Sequence, residues 1–309
     1  MPIPNSIPDP QALVAGAELA YASDYLSFVG ADAAGRVAFA IDTNRGRDGE
    51  PFQADHLFIV LHDERRGWVR LAGAGRYPNP YGMLLSIPDS PSFQFSGTPA
   101  AGLTLDSPHN RLTLTIEPLV ERMTHGDADS FFQMRSAAAV LRWRDRVLPG
   151  RVIAEILVGR GWNMITRRTF KSLAGLEYLY LLAGESGDLY LQKQNGQGAL
   201  LRGMPPLLGF RATAQHAQQL ADLRVQTRRH DLAPGAYRWP AAWRGSWRET
   251  EGRTRFALRT TARTTVGNWG VAGFSMAVVR GVLREDGHTT PLYGLGELLS
   301  LSPLLRWIV

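Results

Sequence analysis

The chain has 309 residues, about twice the length of a typical ~150-residue domain, which predicts one large domain or two ordinary ones. Hydrophobic residues at 44% and charged residues at 20% exclude wholesale disorder, and the complete lack of Cys excludes disulfides, zinc-thiolate centres, iron–sulfur clusters and a thiol nucleophile. The net charge of +6 comes almost wholly from arginines scattered among acids rather than gathered into a run, so no nucleic-acid partner is expected.

Met1-Pro2-Ile3-Pro4-Asn5 carries neither the basic nor the apolar region of a secretory leader. The longest apolar stretches, Ser136 to Leu141 and Leu298 to Leu305, fall far short of the ~20 residues that cross a bilayer. The expectation is a cytoplasmic protein without an integral membrane segment, its apolar tail packed on the body. Short β-branched and aromatic runs then recur between Gly, Pro, Asp and Asn punctuation, the rhythm of sandwiches and barrels. Tyr25 to Val29 and Arg36 to Asp42 flank a Gly-containing turn and form a hairpin. Strands are expected at His56 to His62, Trp68 to Ala72, Ser92 to Gly97, Gly102 to Leu105, Arg111 to Pro118, Ala137 to Trp143 and Arg151 to Val158.

The Gly- and Arg-rich stretch Arg160 to Lys171 interrupts this series. A second series follows at Tyr178 to Ala183, Asp188 to Gln194, Ala199 to Arg202, Gly209 to Ala214, Gln218 to Thr227, Thr254 to Thr261, Phe274 to Leu283 and Thr290 to Leu298, with Asp286-Gly287 as a turn signal. Thr213 to Leu223 reads equally as a helix or as a strand pair joined through His216. The expected fold is all-β: two consecutive antiparallel β-barrel domains of about eight strands each, residues 1–165 and 166–309.

Strong catalytic signatures are missing. There is no P-loop, no G-x-S-x-G elbow and no H-E-x-x-H, and Gly73-Ala74-Gly75 lacks the third glycine and following helix of a dinucleotide loop. His56 and His62 sit too far apart along one strand to share a metal, and Asp42 to Gly49 lacks the closing Glu of a calcium loop. Neither metal nor cofactor is expected. Three carboxylates instead stand inside apolar strands: Asp24 before Tyr25-Leu26-Ser27-Phe28, Glu155 within Val152 to Val158, and Glu177 within Leu176 to Leu181. A buried carboxylate must be paired or protonated, and a raised pKa makes it a proton donor near neutral pH. The alternative, open from sequence, is that each points outward or pairs with an arginine such as Arg151 or Arg168.

The same positions carry a family likeness. Ser23-Asp24-Tyr25-Leu26-Ser27-Phe28-Val29-Gly30, Leu148-Pro149-Gly150-Arg151-Val152-Ile153-Ala154-Glu155, Gly175-Leu176-Glu177-Tyr178-Leu179, Tyr237-Arg238-Trp239-Pro240-Ala241-Ala242-Trp243 and Tyr293-Gly294-Leu295-Gly296-Glu297-Leu298 resemble conserved-type segments of the AttH-like family, which includes carotenoid 1,2-hydratases, kievitone hydratase and fungal Diels–Alderases. Ile153-Ala154 departs from the family's Asp-His, and Gly270-Val271-Ala272-Gly273 from its late aromatic-Glu pair. The resemblance implies two lipocalin-like barrels and a cofactor-independent cyclase, hydratase or isomerase acting on an isoprenoid or polyketide-like substrate at the domain junction. Asp24, Glu155 and Glu177 would be its catalytic residues, and Trp162, Tyr178, Trp239, Trp243 and Trp269 its pocket walls. The competing expectation is a lipocalin-type carrier. The sequence leaves the oligomeric state open.

Overall fold

The computed structural model describes residues 19–46, 56–71, 93–126, 130–160, 173–183, 187–196, 205–213, 217–233, 237–249, 252–268 and 272–301. Apart from a single 3-10 turn at Pro108–Asn110, every regular element among them is a β-strand. The chain divides into two compact units, Met1–Met164 with Leu201–Gly203, and Ile165–Leu200 with Met204–Val309.

The first unit contains β1 (Leu19–Asp32), β2 (Gly35–Gly46), β3 (His56–Asp63), β4 (Gly67–Val69), β5 (Gln94–Thr98), β6 (Gly102–Ser107), β7 (Leu112–Ile116), β8 (Val120–Gly126), β9 (Ser130–Trp143) and β10 (Arg146–Arg160). They form one antiparallel sheet in the order β4-β3-β2-β1-β10-β9-β7-β6-β5, with β8 paired to β9. The second unit contains β11 (Leu173–Leu182), β12 (Asp188–Gly196), β13 (Leu207–Ala212), β14 (Ala217–Gln219), β15 (Ala221–Ala233), β16 (Tyr237–Arg248), β17 (Arg253–Asn268), β18 (Ala272–Glu285) and β19 (His288–Leu301). Its order is β14-β13-β12-β11-β19-β18-β17-β16-β15, the same plan without the extra strand. Each sheet curls into a half-barrel, giving two consecutive β domains.

The two units also share a register. Tyr25 of β1 lies opposite Glu155 of β10, which lies opposite Met134 of β9; Tyr178 of β11 lies opposite Glu297 of β19, which lies opposite Met276 of β18. Strand alternation explains the cores. Leu26 and Phe28 of β1 and Val152 and Ala154 of β10 join one apolar cluster. Leu179 and Leu181 of β11, Leu189 and Leu191 of β12, Trp243 and Trp247 of β16, and Phe256 and Leu258 of β17 join the other.

Polar clamps tie distant strands of each curled sheet. In the first unit the Arg146 guanidinium donates to both carboxylate oxygens of Asp32 at 2.6 and 2.8 Å and to Asp63 at 2.5 Å. This pairing holds the Asp32 carboxyl below its ordinary value. In the second, Arg211 of β13 donates to the two oxygens of Glu285, at the end of β18, at 2.5 and 2.8 Å.

Most expected strands are present, with instructive differences. β2 runs past the expected end at Asp42 through Gly46, so Thr43, Asn44 and Arg45 pair with Asp24, Ser23 and Ala22 of β1. The ambiguous stretch after Thr213 contains β14 and the start of β15, with residues 214–216 outside the described residues. The expected strand at Ala199 to Arg202 also lies outside them. β8 and β16 were not expected. Pro240 hides β16, yet it faces a bulged part of β15 and precedes the β17 ladder, so its missing N–H breaks no regular pair.

Candidate active site

Glu177 lies on β11 in alternation with Leu179 and Leu181, and only 2% of it is exposed. Four side chains from three other strands converge on its carboxylate. Asn195 Nδ2 donates to Oε1 at 2.6 Å and Trp243 Nε1 donates to Oε2 at 2.6 Å. Lys193 Nζ lies 3.3 Å from Oε1, and Thr227 Oγ1 lies 3.2 Å from Oε1 and 3.3 Å from Oε2. Lys193 also donates to Thr227 Oγ1 at 2.6 Å. In the sheet order β11 and β12 lie far from β15 and β16; the curl brings these side chains together across the concave face.

This is a buried carboxylate paired with a partly exposed ammonium, its hydrogen bonds supplied. Taking a carboxylate and an ammonium out of water costs several kcal/mol per ion, recovered only when each lone pair finds a donor. The indole donor is itself 1% exposed, whereas the Lys193 side chain keeps 21% of its surface accessible. Lys193 therefore reaches from the apolar interior towards the rim of the cluster. The arrangement can hold the carboxylate in a fixed orientation and present a partly exposed ammonium beside it.

The other expected site residues are placed differently. Glu155 is buried on β10 between Ala154 and Ile156, on the face opposite Val152 and Ala154, and so points away from its domain's apolar cluster. Asp24 pairs through its backbone with Ile156 and Thr43; its side chain lies outside the described residues. Tyr178 is buried on the face opposite Leu179 and Glu177, beside Glu297 and Gln192. Trp239 and Trp243 share the second apolar cluster, and the Arg263 guanidinium stands 6.0 Å from the Trp239 ring. Burial pushes the Arg263 pKa down, with Asp231 opposing that shift. Trp162 and Trp269 lie outside the described residues. Of the expected set, the structure joins Glu177 to Trp243 directly.

Three contributors were missed: Lys193, Asn195 and Thr227. The signal for the first two lay in β12, where Leu189, Leu191, Lys193 and Asn195 occupy every second position. An apolar alternation that ends in a lysine and an amide carries a polar cluster onto the buried face. Thr227 gave no such sign. It meets Glu177 only through the curl.

No family model matches the sequence, and no curated protein matches it. Solved structures do. A Nitrosomonas europaea protein bearing the AttH name aligns with a TM-score of 0.58 at 12% identity, covering 96% of this chain and 97% of that one. The fold is that of the AttH-like proteins. CghA, a Diels–Alderase solved with Sch210972, aligns with a TM-score of 0.54 at 11% identity, covering 92% and 89% of the two chains. Kievitone hydratase from Nectria haematococca aligns with a TM-score of 0.51 at 11% identity, covering 93% and 90%. Within the AttH-like fold of this chain, Glu177 occupies the first strand of the second domain, one position before the Tyr178 that corresponds in register to Tyr25 of the first.

Proposed function

We propose that the protein is a cofactor-independent lyase or isomerase that acts on a hydrophobic, isoprenoid or polyketide-like molecule by cyclisation, or by hydration or isomerisation of a C=C bond. The observation that carries this reading is the Glu177–Lys193 pair set against an apolar half-barrel. A carboxylate buried among apolar side chains is a poor way to stabilise a core and a good way to keep an acid–base partner oriented. In this reading Lys193 moves the proton and Glu177, fixed by Trp243 and Asn195, holds the ammonium in position. Trp239 and Trp243 supply aromatic faces for developing positive charge. The Diels–Alderase and hydratase named among the structural neighbours support the reaction class. Asp24 and Glu155 stay in the proposal as further acidic candidates.

A second reading is a carrier without chemistry. It is favoured by the saturation of the Glu177 carboxylate, which accepts from all four neighbours. One experiment separates the two: incubate the purified protein with an extracted apolar metabolite pool, then identify what is bound and what is changed by mass spectrometry. An enzyme converts a compound and a carrier returns it intact. Lys193→Gln keeps a hydrogen-bond donor beside Glu177 but removes the transferable proton, so the enzyme reading expects turnover to fall by ~10²-fold or more with folding intact. Turnover within a few-fold of wild type in that variant would remove Lys193 from the mechanism.

A further inference from the structure

On the other face of the strands that carry Trp243 lies an open groove of about 550 Å³, inside the ~300–1,000 Å³ range of small-molecule sites. Arg228, Arg244, Arg259 and Arg280 form its sides. Its floor is low because Ala242 and Ala257 stand between the arginines, while the Trp243 and Leu258 side chains turn into the apolar cluster beneath. The bulge of β15 between Thr227 and Arg229 inserts Arg228 as an extra residue at one edge.

The charge on this face is unusual for a sheet. Arg259 lies directly opposite Arg280, Arg255 opposite Arg284, and Arg248 opposite Arg253. Like charges in directly opposed positions destabilise a sheet. One is relieved, since Arg248 pairs with Asp222, and beside this face Arg229 pairs with Asp231 at 3.1 Å. Arg280 lies 5.4 Å from the Tyr293 ring. Arg228, Arg244 and Arg259, by contrast, make no ion pair with a carboxylate among the described residues, and no acidic residue lines the groove. The arginines look dispersed in the linear sequence, but at intervals of two and four residues within strands they fall on one face.

We infer that this groove is a binding site for the phosphate or diphosphate group of a small-molecule ligand, gripped between Arg244, Arg259 and Arg228. The guanidinium fork matches phosphate oxygens in pairs, which a lysine ammonium cannot do, and every charged residue lining the groove is an arginine. An oxyanion seated there would supply the counter-charge that Arg228, Arg244 and Arg259 lack among the described residues. The only large hydrophobic side chains strongly exposed among the described residues are Val120 and Val147, both in the first unit. The arginine face thus offers neither a stacking platform for bases nor an apolar wedge for a bilayer. The inference is independent of the reading of Glu177.

The test is titration of the full chain with inorganic diphosphate by calorimetry at low salt, in wild type and in Arg244→Gln, Arg259→Gln, Arg253→Gln and Arg284→Gln. All four side chains are exposed, so the variants are expected to keep the wild-type circular dichroism spectrum. The expected result is saturable one-to-one binding, weakened about tenfold or more by each of the two groove substitutions and less than twofold by the two outside it. Equal losses in all four variants would overturn the groove in favour of a diffuse basic face, and absence of heat at millimolar diphosphate would overturn it outright. Two competition arms identify the source of the phosphate. Displacement of diphosphate by phosphorylated metabolites, but not by vesicles of anionic phospholipid, supports the small-molecule assignment. A single-stranded oligonucleotide or the vesicles binding more tightly than diphosphate, with all four arginines contributing, would refute it.

Discussion

Glu177→Gln changes one atom and forces a choice on the cluster. The carboxylate now accepts from Asn195 and Lys193 on Oε1 and from Trp243 on Oε2, whereas glutamine has one accepting oxygen and one NH₂. With the oxygen turned towards Asn195, the new NH₂ meets the Trp243 indole N–H donor-to-donor across 2.6 Å; with the amide flipped, it meets the Asn195 NH₂ and the ammonium instead. The first arrangement is better because it keeps the acceptor of both Asn195 and Lys193 and strands one donor instead of two. Its cost is a buried indole donor without an acceptor, about 1–3 kcal/mol, plus about 1 kcal/mol for the loss of the partly exposed ammonium's counter-charge. Equilibrium urea unfolding, followed on the transition of the second domain, should therefore show a loss of about 2–4 kcal/mol. Trp243→Phe removes the stranded donor, so in the double variant the two losses should fall short of their sum by roughly 1–2 kcal/mol. Additive losses, or a Glu177→Gln loss below about 0.5 kcal/mol, would show that the carboxylate does not hold the indole and that the cluster is not a unit.

Arg146→Met leaves Asp63, whose side chain is 3% exposed, without its guanidinium, and Asp32 without both of its charged hydrogen bonds. The first domain should lose about 3 kcal/mol in urea unfolding, since removing one partner strands a buried charge. Asp32 itself, depressed by Arg146, contributes stability that is present above its ordinary value of 3.8 and lost as pH falls through the lowered folded value. Asp32→Asn should flatten the acid limb of the stability profile below that point. His125 is half-buried and burial pushes it below 6.5. The neutral ring is thus the form the fold prefers, and its contribution to stability should be present above 6.5 and lost as pH falls below 6.5 through the lowered folded value; His125→Gln should remove that part of the slope in a pH series of thermal melts.

The strand rhythm and the two-part organisation were legible because they rest on local facts: alternation in Leu112, Leu114 and Ile116, and the Asp286-Gly287 dipeptide, whose positive φ values of 47° and 81° close the β18–β19 hairpin. β16 was illegible because Pro240 argues against a strand unless the bulge in its partner is known. The site was half legible. Glu177 stood out as a charge in an apolar strand, and the late tryptophans as aromatic bulk, but which tryptophan meets it depends on how far a nine-stranded sheet curls. The arginine groove was invisible for the same reason. Its residues come from four strands, and the face they form exists only once Arg259 and Arg280 are brought opposite each other.

The pairing of first strand with last has a consequence during synthesis. β1 cannot complete its ladder until β10 emerges from the ribosome roughly 110 residues later, and β11 waits about as long for β19. At translation rates of about 5–20 residues per second, each opening strand stands with an unpaired edge for about 5–20 s. Because β1 and β10 both lie ahead of β11 in the chain, the first sheet can close before the second begins. The nascent chain thus presents its sticky edges one at a time, and a ribosome pause placed between β10 and β11 would favour the yield of native protein while one placed just before β10 or β19 would work against it.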